Sequence, residues 1–290
     1  MPTEIIKGSL FRSGDLQKAI NGCQVVIHAA ANTKQWPTAY ECYEKPNVEA
    51  TSLLLEESMK AGVERFIFVS SANAFGPGTR KIPGDETSAF TSLQYQSGYM
   101  RSKYEAQKRV LEFVRQHHFP AVVVNPTFML GKYDLKPGSG QILLMAHGKR
   151  LMPCPTGGKN FIHVKDAAAG IINAIQRGKP GNCYLLANEN LSYQEFYRKM
   201  NTVCGFPRYL IKLPRPLISA AGLAGSFTEK IRGKANRLNY INARLLCAEN
   251  YYSAKKAVQE LQLPQTPIDQ AIKEALEWFE QQGYLGKADQ

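Results

Sequence analysis

The sequence predicts an α/β fold: a doubly wound parallel sheet followed by a smaller, mostly helical lobe. Three observations carry that expectation. Short runs rich in Val, Ile and Phe alternate with longer amphipathic stretches, as where Gln24 to Ala29 precedes Val48 to Lys60. Those runs lack a strict in/out alternation, as strands buried on both faces do. Beyond Gly131 the alternation gives way to Gly- and Pro-rich connections and then to helical periodicity.

Taken in order, strands are expected at Glu4 to Lys7, Gln24 to Ala29, Arg65 to Ser70, Ala121 to Asn125 and Cys183 to Ala187. Helices are expected near Gly14 to Ile20, Val48 to Lys60, Tyr99 to Gln116 and Lys165 to Gln176. This βαβα order feeds a parallel sheet by crossover connections. In the second lobe Ser192 with Glu195 makes a capping box that opens a helix through Met200, and Thr266-Pro267 opens the last one. Ile268, Ala271, Ile272, Ala275, Leu276 and Phe279 form the apolar stripe of that last helix.

Composition narrows the function classes. A chain of 290 residues, 44% hydrophobic and 21% charged, buries one sizeable core and a second lobe, which excludes disordered and low-complexity chains. Thirty-six Lys and Arg against 24 Asp and Glu leave a net charge of +12, favouring anionic partners. The basic residues are spread without a polybasic run or nucleic-acid-binding motif, so nucleic acid ranks last among partners. The six cysteines are scattered, with no C-x-x-C pair and no Cys/His cluster at metal-ligand spacing, so no metal is expected and the thiols read as reduced. The first residues lack the pattern of a signal peptide, and no apolar run approaches the roughly 18 residues of a membrane span. A cytoplasmic location is the expectation.

One helix carries chemistry. From Tyr99 onward, a turn of about 100° per residue puts Ala106, Val110, Phe113 and Val114 on one face with Tyr99 and Lys103. Arg101, Glu105, Lys108, Arg109, Glu112 and Arg115 fall on the other side, so Lys103 is the one charged residue on the packing stripe and needs a partner there. A Tyr-x-x-x-Lys pair is a common accident of spacing, and Lys103 could snorkel out from the first turn. Its position favours a site: the motif opens a helix, and upstream the strand from Arg65 ends in Ser70-Ser71, hydroxyls at the carboxyl edge where α/β sheets bind ligands.

These residues belong to an ordered set: Val26-Ile-His-Ala-Ala-Ala31, Asn47-Val-Glu-Ala-Thr51, Ala61-Gly-Val-Glu-Arg-Phe-Ile-Phe-Val-Ser-Ser71, Tyr99-x-x-x-Lys103, Asn125-Pro-Thr127 and Asn160-Phe-Ile-His-Val-Lys-Asp166. In order and spacing the set resembles the extended short-chain dehydrogenase/reductase (NAD-dependent epimerase/dehydratase) family. Within it the chain is most similar to bacterial dihydroflavonol-4-reductase-like and hopanoid-associated sugar epimerase-like proteins, over nearly its whole length. The resemblance implies a Rossmann-like fold, with a partial NAD(P)-binding domain over 1–130 and a substrate lobe over 131–290 interleaved with the last elements of the first.

By that resemblance Tyr99 is the general acid/base, Lys103 lowers its pKa and holds the nicotinamide ribose, and Ser71 hydrogen-bonds the substrate oxygen. An adjacent cation would move a phenol from its ordinary pKa near 10 toward neutral. The cofactor, NADP or NAD, would be lined by Leu10, Ala29, Ala30, Ala31, Asn47, Val69, Ser70, Tyr99, Lys103, Pro126 and Thr127. Ala29 to Ala31 equally suit tight packing, Ser70 a strand cap, and Pro126 a turn. His163 and Asp166 fall in a segment that is mostly structural in the family, and His117-His118 suits a helix C-terminus.

The family's fold begins with a strand, a Gly-rich turn, a helix and a second strand that selects NAD or NADP, and none of these precedes Ile5-Ile6, which matches the third strand. Ser9 stands where an adenine-contacting aspartate is usual. The expectation is an N-terminally truncated sheet that lacks the pyrophosphate cradle, with the Val25 strand left as an open edge unless the Glu4 strand slides beside it. The implied activity is hydride reduction of a ketone or aldehyde. A nucleotide-sugar epimerase or dehydratase, and a non-catalytic homologue, are the alternatives. The segment from Arg208 to Arg244 holds eight basic residues (Arg208, Lys212, Arg215, Lys230, Arg232, Lys234, Arg237, Arg244) against Glu229, around the apolar run Leu217 to Ala224. It reads as a lid over the substrate or as a weak peripheral membrane contact. A homodimer stays open.

Overall fold

Four of the five expected strands pair side by side in one parallel sheet. The computed structural model describes residues 3–34, 39–91, 97–233 and 239–285. Met1, Pro2, Lys234 and Arg237 lie outside the described residues. In chain order, α1 (Ser13–Ile20), β1 (Val25–His28), α2 (Glu41–Tyr43), a π-helical segment over Glu44–Glu49 and α3 (Ala50–Lys60) lead to β2 (Arg65–Val69). Then come α4 (Gly98–His117), β3 (Ala121–Pro126), β4 (Phe128–Leu130), α5 (Gln141–Ala146), β5 (Leu151–Cys154), β6 (Gly158–His163), α6 (Val164–Arg177) and β7 (Cys183–Leu186). The remainder is β8 (Glu189–Ser192), α7 (Tyr193–Cys204), β9 (Tyr209–Lys212), α8 (Arg215–Arg232), α9 (Tyr240–Cys247), β10 (Glu249–Asn250), α10 (Lys255–Leu261) and α11 (Ile268–Gln281).

The main sheet runs β1-β2-β3-β7, every pair parallel, with Val25 beside Arg65, Phe66 beside Ala121 and Val123 beside Cys183. All of β3 is buried. Successive side chains point to opposite faces: Phe66, Phe68 and Val123 pack with Ala106 and Val110 of α4, while Ile67, Val122 and Val124 pack with Ile162, Ala167 and Tyr184. Both faces are thus apolar, as the unalternating runs require.

The expected helix from Val48 begins earlier and differently. Pro46 has no N–H to donate, and the chain widens there into the π segment, with the Ala50 N–H donating to the Lys45 carbonyl. Ser97 caps α4 by accepting from the Met100 N–H, and His118 ends it in the left-handed region at φ 52°.

One expectation needs correction. Glu4 to Lys7 forms no strand: residues 3–9 are irregular and Ile5 is exposed. A lone extended run has no ladder to join, and the Ser9 N–H instead donates to Asp15 Oδ2 at 2.8 Å, drawing the chain straight into α1. Among the described residues β1 therefore pairs with β2 alone and leaves Val25 and Ile27 partly in solvent. The second lobe is mostly helical, as expected, and also holds two small sheets. β10, β6 and β4 form a second sheet with β8 antiparallel to β6, and β5 pairs with β9. These strands are short, and Asn160 and Asn190 supply amide bonds to the Asn188 and Tyr252 carbonyls that hold the layer together.

The capping box forms as read, the Ser192 hydroxyl and Glu195 carboxylate exchanging bonds with each other's backbone N–H at the start of α7. Phe196 of α7 stacks on Phe161 of β6 at 4.5 Å, and Ile268, Ala271, Ile272, Ala275 and Phe279 of α11 close that core. Among the described residues no helix is long and apolar enough to cross a membrane.

Candidate functional site

The C-terminal ends of β1, β2 and β3 and the first turns of α4 bring the expected residues to one edge of the sheet. Lys103 is 4% exposed and its ammonium donates to the Val69 carbonyl at 3.0 Å. It also lies 5.4 Å from the centre of the Phe68 ring. The partner that the helical pattern demanded is therefore a strand-end carbonyl and an aromatic face, with no carboxylate involved. With so little neutralisation, burial pulls the Lys103 ammonium down to about 8.

Tyr99 sits one turn earlier, half-buried, its ring edge-on to Tyr43 at 6.3 Å. Burial holds its phenol above the ordinary value, and the Ser71 hydroxyl opposes that shift. Lowering of this pKa by Lys103, which the resemblance implied, is not seen here, because Lys103 is turned to Val69. Ser71 is buried, and its oxygen accepts from the Asn73 N–H at 3.2 Å, leaving its own proton to point toward the phenol. Asn125 fixes this edge by donating to the Ser71 carbonyl at 2.9 Å and to Gln107 Oε1 at 2.6 Å, tying β3 to the strand end and to α4.

A bonded chain not anticipated from sequence runs behind the site. Ser102 donates to the Tyr99 carbonyl at 2.8 Å, and Asn47 Nδ2 donates to Ser102 at 2.8 Å and to the Asn32 carbonyl at 3.1 Å. Asn47 Oδ1 accepts from the Asn32 N–H at 2.7 Å. Thr51 spends its proton on the Asn47 carbonyl at 2.7 Å, so at 3.0 Å it accepts from His28, whose Nε2 must carry the hydrogen. His28 is buried and lies near Lys103, and both effects pull its pKa down to about 4, burial being the larger. The chain clamps the segment after β1 to the start of α4. Both amide donors of Asn47 are used in it, so Asn47 shapes the loop and offers no open donor.

The other expected cofactor residues divide. Ala29 and Ala30 are exposed just past β1, with Ala31 half-buried beside them, small side chains at the sheet's carboxyl edge. Ser70 is 5% exposed and its hydroxyl has no partner, an omission that costs about 1–3 kcal/mol unless a ligand atom fills it. Pro126 is buried, and Thr127 donates to Asn160 Oδ1 at 2.7 Å, turning its hydroxyl inward. Leu10 packs on the core over α1 and α3 and presents no polar group. His163 caps α6 by accepting from the Lys165 N–H, and Asp166 accepts from the Thr266 N–H and hydroxyl. Both act as braces.

Lys159 of β6 was not singled out from the sequence. It lies 5.1 Å over the Phe128 ring, with no carboxylate partner among the described residues, and burial pulls it down to about 8. A single Lys between Gly158 and Asn160 carries no signal until β6 is paired beside β4.

The donor set at this edge suits a nicotinamide ribose. Lys103 keeps ammonium protons beyond the one given to Val69, Ser70 holds a buried unpaired hydroxyl, and the alanines after β1 leave room for close approach. A phenol and a serine hydroxyl beside them can move and steady one proton on a substrate oxygen.

Comparison with known proteins gives the family and the fold. The model of the NAD dependent epimerase/dehydratase family matches residues 2–187. The "Putative dihydroflavonol 4-reductase" of Synechocystis sp. is 34% identical over 98% of this chain and 84% of its own. Sterol demethylase protein B of Methylococcus capsulatus is 26% identical over 96% of this chain and 85% of its own. The crystal structure of gox2253 superposes with a TM-score of 0.81 at 31% identity, covering 96% of this chain and 84% of that one. The dTDP-glucose 4,6-dehydratase DesIV from Streptomyces venezuelae, solved with NAD and TYD bound, shares the fold at a TM-score of 0.70 and 17% identity, over 97% of this chain and 81% of that one.

Proposed function

Because the chain belongs to the NAD dependent epimerase/dehydratase family, we propose that it is an NAD(P)-dependent reductase of a ketone or aldehyde, with Tyr99, Ser71 and Lys103 as its catalytic residues. The observation that carries this reading is the buried Lys103 ammonium, held by a strand-end carbonyl in the helix turn after Tyr99. A nicotinamide bound at this edge would supply the hydride chemistry of carbonyl reduction.

Ser71 donates to the carbonyl oxygen and steadies the charge that grows there. Tyr99 gives its phenolic proton to that oxygen. Its pKa, high in the arrangement described, would fall toward a working value with the Lys103 charge near the phenol. Lys103 and the Ser70 hydroxyl would hold the ribose and carboxamide end, and the small side chains of Ala29, Ala30 and Ala31 would leave room for it. The clamp through Asn47 and Ser102 fixes the Tyr99 backbone while this happens. The similarity to the Synechocystis sp. protein supports a neutral ketone as substrate.

Lys159 favours a second reading, a nucleotide-sugar epimerase or dehydratase. A half-buried cation with no carboxylate partner among the described residues is what an anionic substrate group would neutralise. One experiment tests both: the purified chain is incubated with NADH or NADPH and a panel of neutral ketones and aldehydes, and with NAD+ or NADP+ and a panel of nucleotide sugars. Reduction of a neutral carbonyl that Tyr99→Phe abolishes supports the first reading. Turnover of nucleotide sugars alone moves the assignment to the second, and no turnover together with no dinucleotide binding refutes both.

A further inference from the structure

Helix α8 turns an apolar face to solvent. Ile218, Gly222 and Gly225 make its inner face, where a Cβ added to Gly222 would come within 2.4 Å of the Ala243 Cβ on α9. At 100° per residue, Leu217, Ala220, Ala224, Phe227 and Ile231 line the opposite side over four turns. Phe227 is 66% exposed and Ile231 67%, well beyond the scattered apolar exposure of an ordinary surface. The strand pair feeding α8 behaves alike: Leu151 sits beside Tyr209 and Pro153 beside Ile211, all turned outward. α8 is tied to that pair through the Leu213 N–H, which donates to the Cys154 carbonyl at 3.0 Å.

The borders of this face are cationic. Lys230 falls beside Leu223 on one edge and Arg232 beside Ala221 on the other, and both are exposed. Neither, nor exposed Lys212, has a carboxylate partner among the described residues. Arg208, by contrast, is buried and donates to the Ala146 carbonyl, so it belongs to the fold. Glu229, the acid of the segment, is half-buried and accepts from Asn239. An apolar stripe bounded by unpaired cations suits the boundary between lipid headgroups and acyl chains. A second copy of the chain meeting this face would bring Lys230 and Arg232 against their own kind, and a nucleic acid offers nothing to the Leu217, Phe227 and Ile231 stripe.

We propose that α8 lies in the surface of an anionic membrane, with Leu217, Phe227 and Ile231 inserted at the acyl boundary and Lys212, Lys230 and Arg232 paired with lipid phosphates. This is independent of the reductase reading, and its test needs no activity. The full chain is floated with vesicles of phosphatidylcholine alone and with equimolar phosphatidylcholine and phosphatidylglycerol, at low and at high salt. It is expected to float with the anionic vesicles only, and less at high salt. Lys230→Glu and Arg232→Glu should each weaken the partition about fivefold or more, as expected for one cation near a charged surface. Phe227→Ser with Ile231→Ser should abolish it, and since these side chains are exposed, the variants should melt as the unaltered chain does. No flotation, equal flotation with both vesicle types, or variants that float unchanged would overturn the proposal. So would a dimer in solution that Phe227→Ser splits, since the face would then cover a second copy.

Discussion

Lys103 of α4 donates its ammonium proton to the main-chain carbonyl of Val69, 3.0 Å away at the end of β2. A lysine held this way is charged but poorly compensated, with its pKa drawn down from 10.5 to about 8. The folded pKa lies below the unfolded one, so between pH 8 and 10.5 the unfolded chain holds more protons and stability rises with pH across that window. Below pH 8 the full cost is present, about 3 kcal/mol at 1.36 kcal/mol per pKa unit.

Lys103→Met should therefore abolish turnover while raising stability at pH 7. The gain is expected at about 1–2 kcal/mol, since the lost bond leaves the Val69 carbonyl unpaired and offsets part of the relief. Urea unfolding at pH 7 and pH 10 checks it, and the variant's advantage should shrink at the higher pH. A variant less stable at both would contradict the assignment of a desolvated cation.

Tyr99→Phe keeps the ring against Tyr43 and removes the proton. Turnover should fall roughly a thousandfold, the scale of general acid catalysis, with little change in melting temperature or dinucleotide affinity. Ser71→Ala should cost turnover less, about a hundredfold for one lost donor to the developing charge. A Tyr99→Phe chain that loses melting temperature along with turnover would make Tyr99 a packing residue.

His28 makes the fold acid-sensitive from beneath the site. Its pKa is lowered to about 4 from 6.5, so as pH falls from 6.5 toward 4 the unfolded chain takes up a proton that the folded chain refuses, and stability is lost. At pH 5 the loss is about 2 kcal/mol. His28→Gln should flatten the difference between stabilities measured at pH 7 and pH 5 by that amount, whatever its effect on stability at pH 7. An unchanged pH slope would remove His28 from the account.

The same residues divide what a sequence can reveal from what it cannot. Tyr99 and Lys103 were legible because four positions on one helix fix their geometry locally, and Ser71 because it ends a recognisable strand. The strands of the main sheet were legible because burial on both faces demands unbroken apolar runs. The His28, Thr51, Asn47 and Ser102 chain was not: each member is an ordinary polar residue until three elements distant in sequence are packed together. Glu189 to Ser192 is not among the strands the sequence predicts, because so short a strand draws its stability from β6 and from asparagine amides, not from its own side chains. Glu4 to Lys7 failed in the opposite sense. Its residues favour extension, and extension without a neighbouring strand forms no ladder.

The seam between α8 and α9 yields the last prediction. Glycine inside a helix costs up to about 1 kcal/mol against alanine, so Gly222, buried in mid-helix, needs a compensating reason. The approach of α9 supplies it: a Cβ at Gly222 would lie 2.4 Å from that of Ala243 and 3.1 Å from the Asn239 carbonyl. Gly222→Val must push the helices apart, at an expected cost of about 1–3 kcal/mol. Ala243→Gly vacates the space, and in combination with Gly222→Val should return part of that loss, a coupling that a double-mutant cycle of unfolding free energies reads directly. Additive losses would mean that the two positions do not share one space, and α8 would then owe its place to its ends, the Leu213 tie and the Asn239 turn.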